Sequence, residues 1–242
     1  MVQSIKTKSF ELAVYSSEDR GQEKCALVLP GRLDTKDYAH MRSHVDFLAS
    51  KGYFALSFDP PGTWESPGEI SLYSTQNYLK AINEIIEYFG NRPTVAMGHS
   101  RGGAMAMLAG ITNAHVTHII SAMSHYSPSL SDKKPDENGM YVSYRDLPPG
   151  TERTNEKKRF DLPASYFNDP TDYSGLDVCT KSKLFFYGTR DVLVTPIEVK
   201  KMYDSAGKPK KLVPLDSEHD YRIHPDIIEQ VNRTVGDFLN LV

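Results

Sequence analysis

The sequence predicts an α/β domain of three layers, a mostly parallel sheet with helices packed on both faces. Three observations lead there. Short apolar runs, such as CALVLP (25–30) and YFALSFD (53–59), alternate along the chain with longer segments of helical spacing, and strands separated by helices join in parallel. The runs are short and mostly apolar, and strands separated by helices imply a sheet covered on both faces. The 242 residues suit a single core of this class, so one domain over 1–242 is expected.

In chain order, the first two runs, around Ile5 and over 10–15, suit an antiparallel edge. CALVLP then reads as a buried strand, and YAHMRSHVDFLASKG (38–52) as a helix with Met41, Val45, Leu48 and Ala49 on one face and Gly52 as its stop. YFALSFD is a strand, DPPGTWESPGE (59–69) a turn-rich loop, and STQNYLKAINEIIEYFG (74–90) a helix whose inner face carries Leu79, Ile82, Ile85, Ile86 and Phe89. TVAMG (94–98) is a strand and RGGAMAMLAG (101–110) a helix of small residues. VTHIISAM (116–123), KLFFYG (183–188) and KKLVPLD (210–216) are strands, with PIEVKKMYDSAG (196–207) a helix before the last. A closing helix over 225–241 turns Ile227, Ile228, Val231, Val235 and Phe238 inward.

One segment breaks this rhythm. Residues 125–177 are rich in Pro, Asp, Tyr and Lys, with a short helical candidate in LPASYFND (162–169). An irregular insertion of this length in a compact domain is usually functional, often a lid. From 124 to 178 it holds seven basic and ten acidic residues, a mixed balance that suits a solvated face better than a polyanion site. Its aromatics Tyr126, Tyr141, Tyr144, Tyr166, Phe167 and Tyr173 either line an acyl or aryl pocket or glue the segment to the domain.

Composition narrows the partners. A net charge of −3, a pI near 6.2 and no basic stripe argue against a nucleic-acid binder. The first residues lack a signal peptide's apolar core, and no run reaches the roughly 18 apolar residues of a membrane span. Cys25 and Cys179 lie far apart and read as buried thiols. A cytoplasmic protein, monomer or homodimer, is expected. No phosphate-binding loop, metal motif or cofactor signature stands out.

The stretch VAMGHSRGGAM (95–105) sets one serine between glycines at a strand-to-helix junction. G-x-S-x-G alone arises by chance in roughly one chain of this length in twelve; between a buried strand and a helix it carries far more weight. A serine hydroxyl is a weak nucleophile, and a sharp corner there would expose Ser100 beside a base. The residues two before and two after it must then be small, as Gly98 and Gly102 are.

Such a serine needs an acid and then a histidine after later strands. Asp191 follows KLFFYG, and His219 follows KKLVPLD. The histidine would take the serine proton and the aspartate would fix its tautomer. Other candidates stand beside them: His224, which looks like a helix-start residue, Asp216 and Asp220, which neighbour the histidine, and His99, which reads as pointing into the core. The backbone N–H of Arg101 would serve as one oxyanion donor and that of Arg32, in LPGRLD, as the other, with Gly31 letting that backbone approach the substrate. The side chains of Arg32 and Arg101 either steer an acidic substrate or, the reading preferred, form surface ion pairs.

Through LVLPGR, DPPGTWES, GHSRGG, YGTRDVLV and SEHD the chain resembles the α/β-hydrolase superfamily, serine-hydrolase type. Pro30-Gly31 stands where that family commonly has His-Gly, and Trp64 where a second glycine is common, which implies a bulkier wall near the entrance. LPASYFNDPTDYSGLD also looks like small esterase and acyl-peptidase-like members with a short cap. The resemblance implies a hydrolase with Ser100, Asp191 and His219 as its triad, no cofactor and a small-molecule acyl substrate. A carboxylic ester is the expected bond, with thioester or amide cleavage, a ligand-binding protein of the same fold, and a lyase left open.

Overall fold

The computed structural model describes residues 3–124, 134–167 and 171–240. Its strands are β1 (Ser4–Lys6), β2 (Glu11–Ser16), β3 (Cys25–Leu29), β4 (Phe54–Phe58), β5 (Thr94–His99), β6 (Val116–Ala122), β7 (Met140–Asp146), β8 (Lys157–Pro163), β9 (Ser182–Gly188) and β10 (Lys210–Leu215). The helices are α1 (Ala39–Ser50), α2 (Thr75–Tyr88), α3 (Arg101–Thr112), α4 (Pro196–Ser205) and α5 (Pro225–Asn240). Among the described residues no helix is long and apolar enough to cross a membrane.

Eight strands form one sheet in the order β1-β2-β4-β3-β5-β6-β9-β10. The edge strands β1 and β2 run antiparallel, and every pairing from β4 to β10 is parallel. Alternate residues divide between two cores. On β3, Leu27 and Leu29 face a core shared with α2 and α3, whereas Ala26 and Val28 face the one built with α1 and α5. Every residue of β3, β4 and β5 is buried, which is why these segments show no polar alternation.

The helices are fixed by their apolar faces and caps. On α5 all five inward residues expected from the spacing are buried. Ser74 caps α2 by accepting the Asn77 N–H at 3.0 Å, and Thr195 with Glu198 forms a reciprocal capping box on α4. Cys25 is buried, whereas Cys179 is only half-buried.

Chain direction in the sheet reverses between β3 and β5, since β4 lies on one side of β3 and β5 on the other. In open parallel sheets a ligand crevice forms outside the carboxyl ends of the strands at such a switch point. The loops after β3, β5, β9 and β10 all leave from that edge.

The insertion is more regular than its sequence suggests. β7 and β8 pair as an antiparallel hairpin, from Met140 opposite Pro163 to Asp146 opposite Lys157. The buried positions of β7 include Ser143 and Asp146, polar residues that hide the period of two. Asp146 is buried against the guanidinium of Arg222, whose charge and hydrogen bond outweigh burial and hold that carboxyl below its usual range. The helical candidate at 162–169 reduces, within the described residues, to one tight turn at Ala164–Tyr166. Tyr126 lies outside the described residues.

Candidate active site

Ser100 sits between the last residue of β5 and the first of α3, with φ +52° and ψ −120°. A non-glycine residue rarely adopts this left-handed backbone, and here the surrounding glycines allow it. A Cβ on Gly98 would lie 2.2 Å from the Gly102 carbonyl carbon, and one on Gly102 would lie 1.9 Å from the Leu29 oxygen of β3. Neither position admits a side chain. The turn is closed by the absence of two methyl groups.

His219 and Asp191 arrive from the neighbouring strand ends. His219 Nε2 lies 2.9 Å from Ser100 Oγ, and His219 Nδ1 lies 2.8 Å from Asp191 Oδ2. The other carboxylate oxygen of Asp191 accepts the backbone N–H groups of Leu193 and Val194 at 2.8 and 2.9 Å. Burial pushes this carboxyl up, but the hydrogen bond and charge of His219 and the two N–H groups outweigh burial and hold it below its usual range. An ionised Asp191 makes Nδ1 the protonated nitrogen, which leaves Nε2 free to accept from the serine hydroxyl.

The loop after β3 is pinned at every carbonyl. Tyr78 Oη donates to Pro30 O at 3.1 Å, the Asp34 N–H to Gly31 O at 3.2 Å, and Trp64 Nε1 to Leu33 O at 2.8 Å. Arg145 donates twice to Arg32 O, from Nε at 2.8 Å and Nη2 at 2.6 Å. The Leu33 N–H donates to Tyr73 Oη at 3.1 Å. These bonds hold the backbone around Arg32 beside Ser100 without using the Arg32 N–H. Gly31 is also crowded by its neighbours: a Cβ there would lie 2.4 Å from the Asp34 carboxylate.

Arg32, Ser100, Arg101 and His219 line one cavity of about 210 Å³. Two of the insertion's aromatics, Tyr166 and Tyr173, also line it. The others serve elsewhere: Tyr141 and Phe167 pack ring to ring at 4.6 Å, and Tyr144 is exposed. The described aromatics thus divide between the cavity wall and packing within the insertion.

The competing candidates have other partners. His224 bonds the Glu218 carboxylate at 2.9 Å, and Asp216 pairs with Arg190 at 3.1 Å. Asp220 lines the cavity but lies 3.6 Å from Arg153. His99 is buried and donates from Nε2 to the backbone oxygen of His219 at 2.9 Å, so it braces the loop that carries the imidazole.

Two expectations need correction. Trp64 is not among the cavity's lining residues; its ring packs on Tyr38 and Phe160, and its N–H anchors the loop after β3. Its φ of +47° explains why a glycine suits this position. The Arg101 side chain lies in the cavity wall rather than on the outer surface: Nη2 donates to Thr75 Oγ1 at 2.7 Å, and the guanidinium lies 4.6 Å above the Tyr166 ring. The sequence reading also missed Arg145, Tyr73, Tyr78 and Asp34, which no motif marks.

Among the described residues one buried group could offer metal ligands. Asp34, His40 and His99 place one atom each within 4.8 Å of one another. Burial drives His40 well below the usual imidazole range, while for Asp34 the His99 ring 3.7 Å away and the charge of Arg145 outweigh burial and hold the carboxyl down. The Arg145 guanidinium, 3.5 Å from Asp34, already supplies the countercharge. His99 of this group already braces the loop that carries His219.

A family model described as alpha/beta hydrolase fold matches residues 27–146. The chain has the α/β-hydrolase fold. Solved structures of this fold superpose over nearly its whole length. Est1E from Butyrivibrio proteoclasticus, solved with ferulic acid bound, aligns at a TM-score of 0.75 and 19% identity over 98% of this chain and 97% of its own. The esterase Pf2001 of Pyrococcus furiosus aligns at 0.70 and 19% identity, over 99% and 91%. A thioesterase domain from the curacin biosynthetic pathway aligns at 0.71 and 15% identity, over 98% and 99%. No curated protein matches the chain by sequence. At such identities the α/β-hydrolase fold is shared, and the chemistry must be argued from the site.

Proposed function

We propose that this protein is a serine hydrolase that cleaves a small or medium carboxylic ester through an acyl-enzyme on Ser100. The observation that carries the reading is the unbroken run of contacts from Ser100 Oγ to His219 to the buried carboxylate of Asp191, at 2.9 and 2.8 Å.

Ser100 Oγ attacks the ester carbonyl as His219 Nε2 takes its proton. Asp191 stabilises the resulting imidazolium, and the N–H groups of Arg32 and Arg101 hold the oxyanion. His219 then gives the proton to the leaving alkoxide. Water repeats the sequence to release the acid and restore the serine. The described part of the insertion acts as a cap at this site, with Tyr166 and Tyr173 against the substrate.

The test is a panel of p-nitrophenyl esters of increasing acyl length, with the matching thioesters, assayed on the wild type and on Ser100→Ala. Ester turnover that Ser100→Ala loses by about 10⁴-fold or more supports the reading. Turnover that survives in Ser100→Ala, or thioesters cleaved while every ester is spared, overturns it.

A further inference from the structure

We infer that Asp146 and Arg222 are positioning residues: their ion pair clamps the loop of His219 to the insertion and so sets the imidazole against Ser100. The inference rests on the hydrolase reading above. Neither side chain is among the described residues that line the cavity, so the pair acts on the reaction through His219 and its loop.

The contacts of the pair fix one geometry. Arg222 stands three positions after His219, in the tight turn Tyr221–Ile223. Its Nη2 donates to the Asp146 carboxylate and its Nη1 to the Gly150 carbonyl. Both charged side chains are buried, and the guanidinium lies 4.8 Å from the centre of the Tyr38 ring. Tyr38 in turn donates from Oη to Asp146 O at 2.8 Å. Gly150 turns at φ +65°, and a Cβ there would lie 2.8 Å from Arg222 Nη1, so the insertion leaves space for the fork. A buried ion pair adds little net stability over apolar side chains of the same volume. What its directed hydrogen bonds supply is a single arrangement of the two segments.

The turn passes that arrangement on to the imidazole. The Tyr221 N–H donates to His219 O at 3.1 Å and the His224 N–H to Tyr221 O at 3.0 Å. His219 O also accepts from His99 Nε2 at 2.9 Å, and Tyr221 Oη meets His44 Nε2 at 3.0 Å. The backbone behind the imidazole therefore has anchors on β5, on α1 and, through Arg222, on the insertion. Asp146 follows Arg145 directly on β7, and Arg145 holds the Arg32 carbonyl. Adjacent residues of one strand thus reach the loop of the oxyanion donor and the loop of the base, and the end of β7 sets the spacing between them.

The test compares three variants with the wild type. Arg222→Lys keeps the charge, but one ammonium cannot reproduce the fork to Asp146 and Gly150. Asp146→Asn keeps the size and removes the charge. The double variant Asp146→Leu, Arg222→Met puts apolar packing in place of the pair, at little cost in stability. Each is measured for melting temperature, for kcat and KM on p-nitrophenyl butanoate, and by proton NMR. The NMR readout is the low-field signal of the Nδ1–H between His219 and Asp191, assigned by its loss in His219→Ala. In the double variant kcat should fall about 10- to 100-fold, as it does when a reacting group is slightly misplaced. KM should change far less, melting should stay close to wild type, and the signal should shift or broaden. Arg222→Lys and Asp146→Asn disturb the fold less and should show the same split, with kcat lower by about tenfold.

Variants that keep the wild-type kcat and an unmoved signal would overturn the inference. So would variants that melt earlier while the folded protein keeps both, since the pair would then only stabilise. A wild type that neither hydrolyses esters nor labels at Ser100 would overturn the hydrolase reading instead. The signal still decides in that case: moved by these substitutions it upholds the positioning of the imidazole, and unmoved it rejects it.

Discussion

Arg145, on the hairpin of the insertion, grips the backbone oxygen of Arg32, on the loop after β3, with two hydrogen bonds at 2.8 and 2.6 Å. One side chain thus ties the insertion to the backbone proposed to hold the oxyanion. A single ammonium cannot reproduce that paired grip. Arg145→Lys and Arg145→Ala should both lower kcat by about 10- to 100-fold, less than outright loss of an oxyanion donor. KM for a neutral ester should change much less. Steady-state kinetics on a neutral ester, with melting curves as a check on folding, distinguish this from general destabilisation.

Asp191 takes two backbone N–H groups on one oxygen and His219 on the other. In Asp191→Asn the amide oxygen would keep the backbone contacts and turn its NH₂ toward His219. Nδ1 must then accept, which moves the imidazole proton to Nε2, where it faces Ser100. The expected cost is about 10⁴-fold in kcat, with the fold intact. A fall of only a few fold would remove Asp191 from the mechanism.

Gly102 shows how closely the serine turn is packed. A methyl group there would meet the Leu29 oxygen at 1.9 Å, and this atom belongs to the central strand β3. Gly102→Ala should cost about 2–4 kcal/mol of stability through overpacking and backbone displacement. Urea denaturation measures it. Wild-type stability would mean that the turn is looser than described.

His44 links stability to pH. Its ring is buried, with Nδ1 bonded to Asn232 at 2.6 Å and Nε2 to Tyr221 at 3.0 Å, and burial pulls its pKa from 6.5 down to about 4. As pH falls, the unfolded chain takes up this proton before the folded protein does. Stability should therefore drop between pH 6.5 and 4 and level off below for this residue, by about 3 kcal/mol at most. Urea denaturation at the two ends of that window, repeated on His44→Gln, should show a shallower loss in the variant. Burial also lowers the neighbouring His40 and keeps part of the slope.

The sheet was legible because its central strands are buried on both sides and so are dominated by apolar residues, as CALVL and FALSF, with Ser57 its one polar residue, illustrate. Ser100, Asp191 and His219 could be found because each follows a strand directly, and chain order fixes which strand ends meet. The hairpin could not be read with the same ease. β8 alternates, with Phe160 and Leu162 inward, but β7 buries Ser143 and Asp146 instead of apolar side chains. The brace of the loop after β3 was also hidden: Arg145 reaches Arg32 across 113 positions, and no motif marks Arg145. Trp64 was misread because its departure from glycine was taken as bulk beside the cavity, while the relevant property is its left-handed backbone and its N–H.

The central claim is that Ser100 is made nucleophilic by His219. Intact-mass measurement after treatment with a fluorophosphonate, followed by peptide mapping, tests it directly. The wild type should gain one adduct, located on Ser100, and His219→Ala should label slower by about 10³-fold or more. An unmodified Ser100, or equal labelling rates in wild type and His219→Ala, would contradict the account.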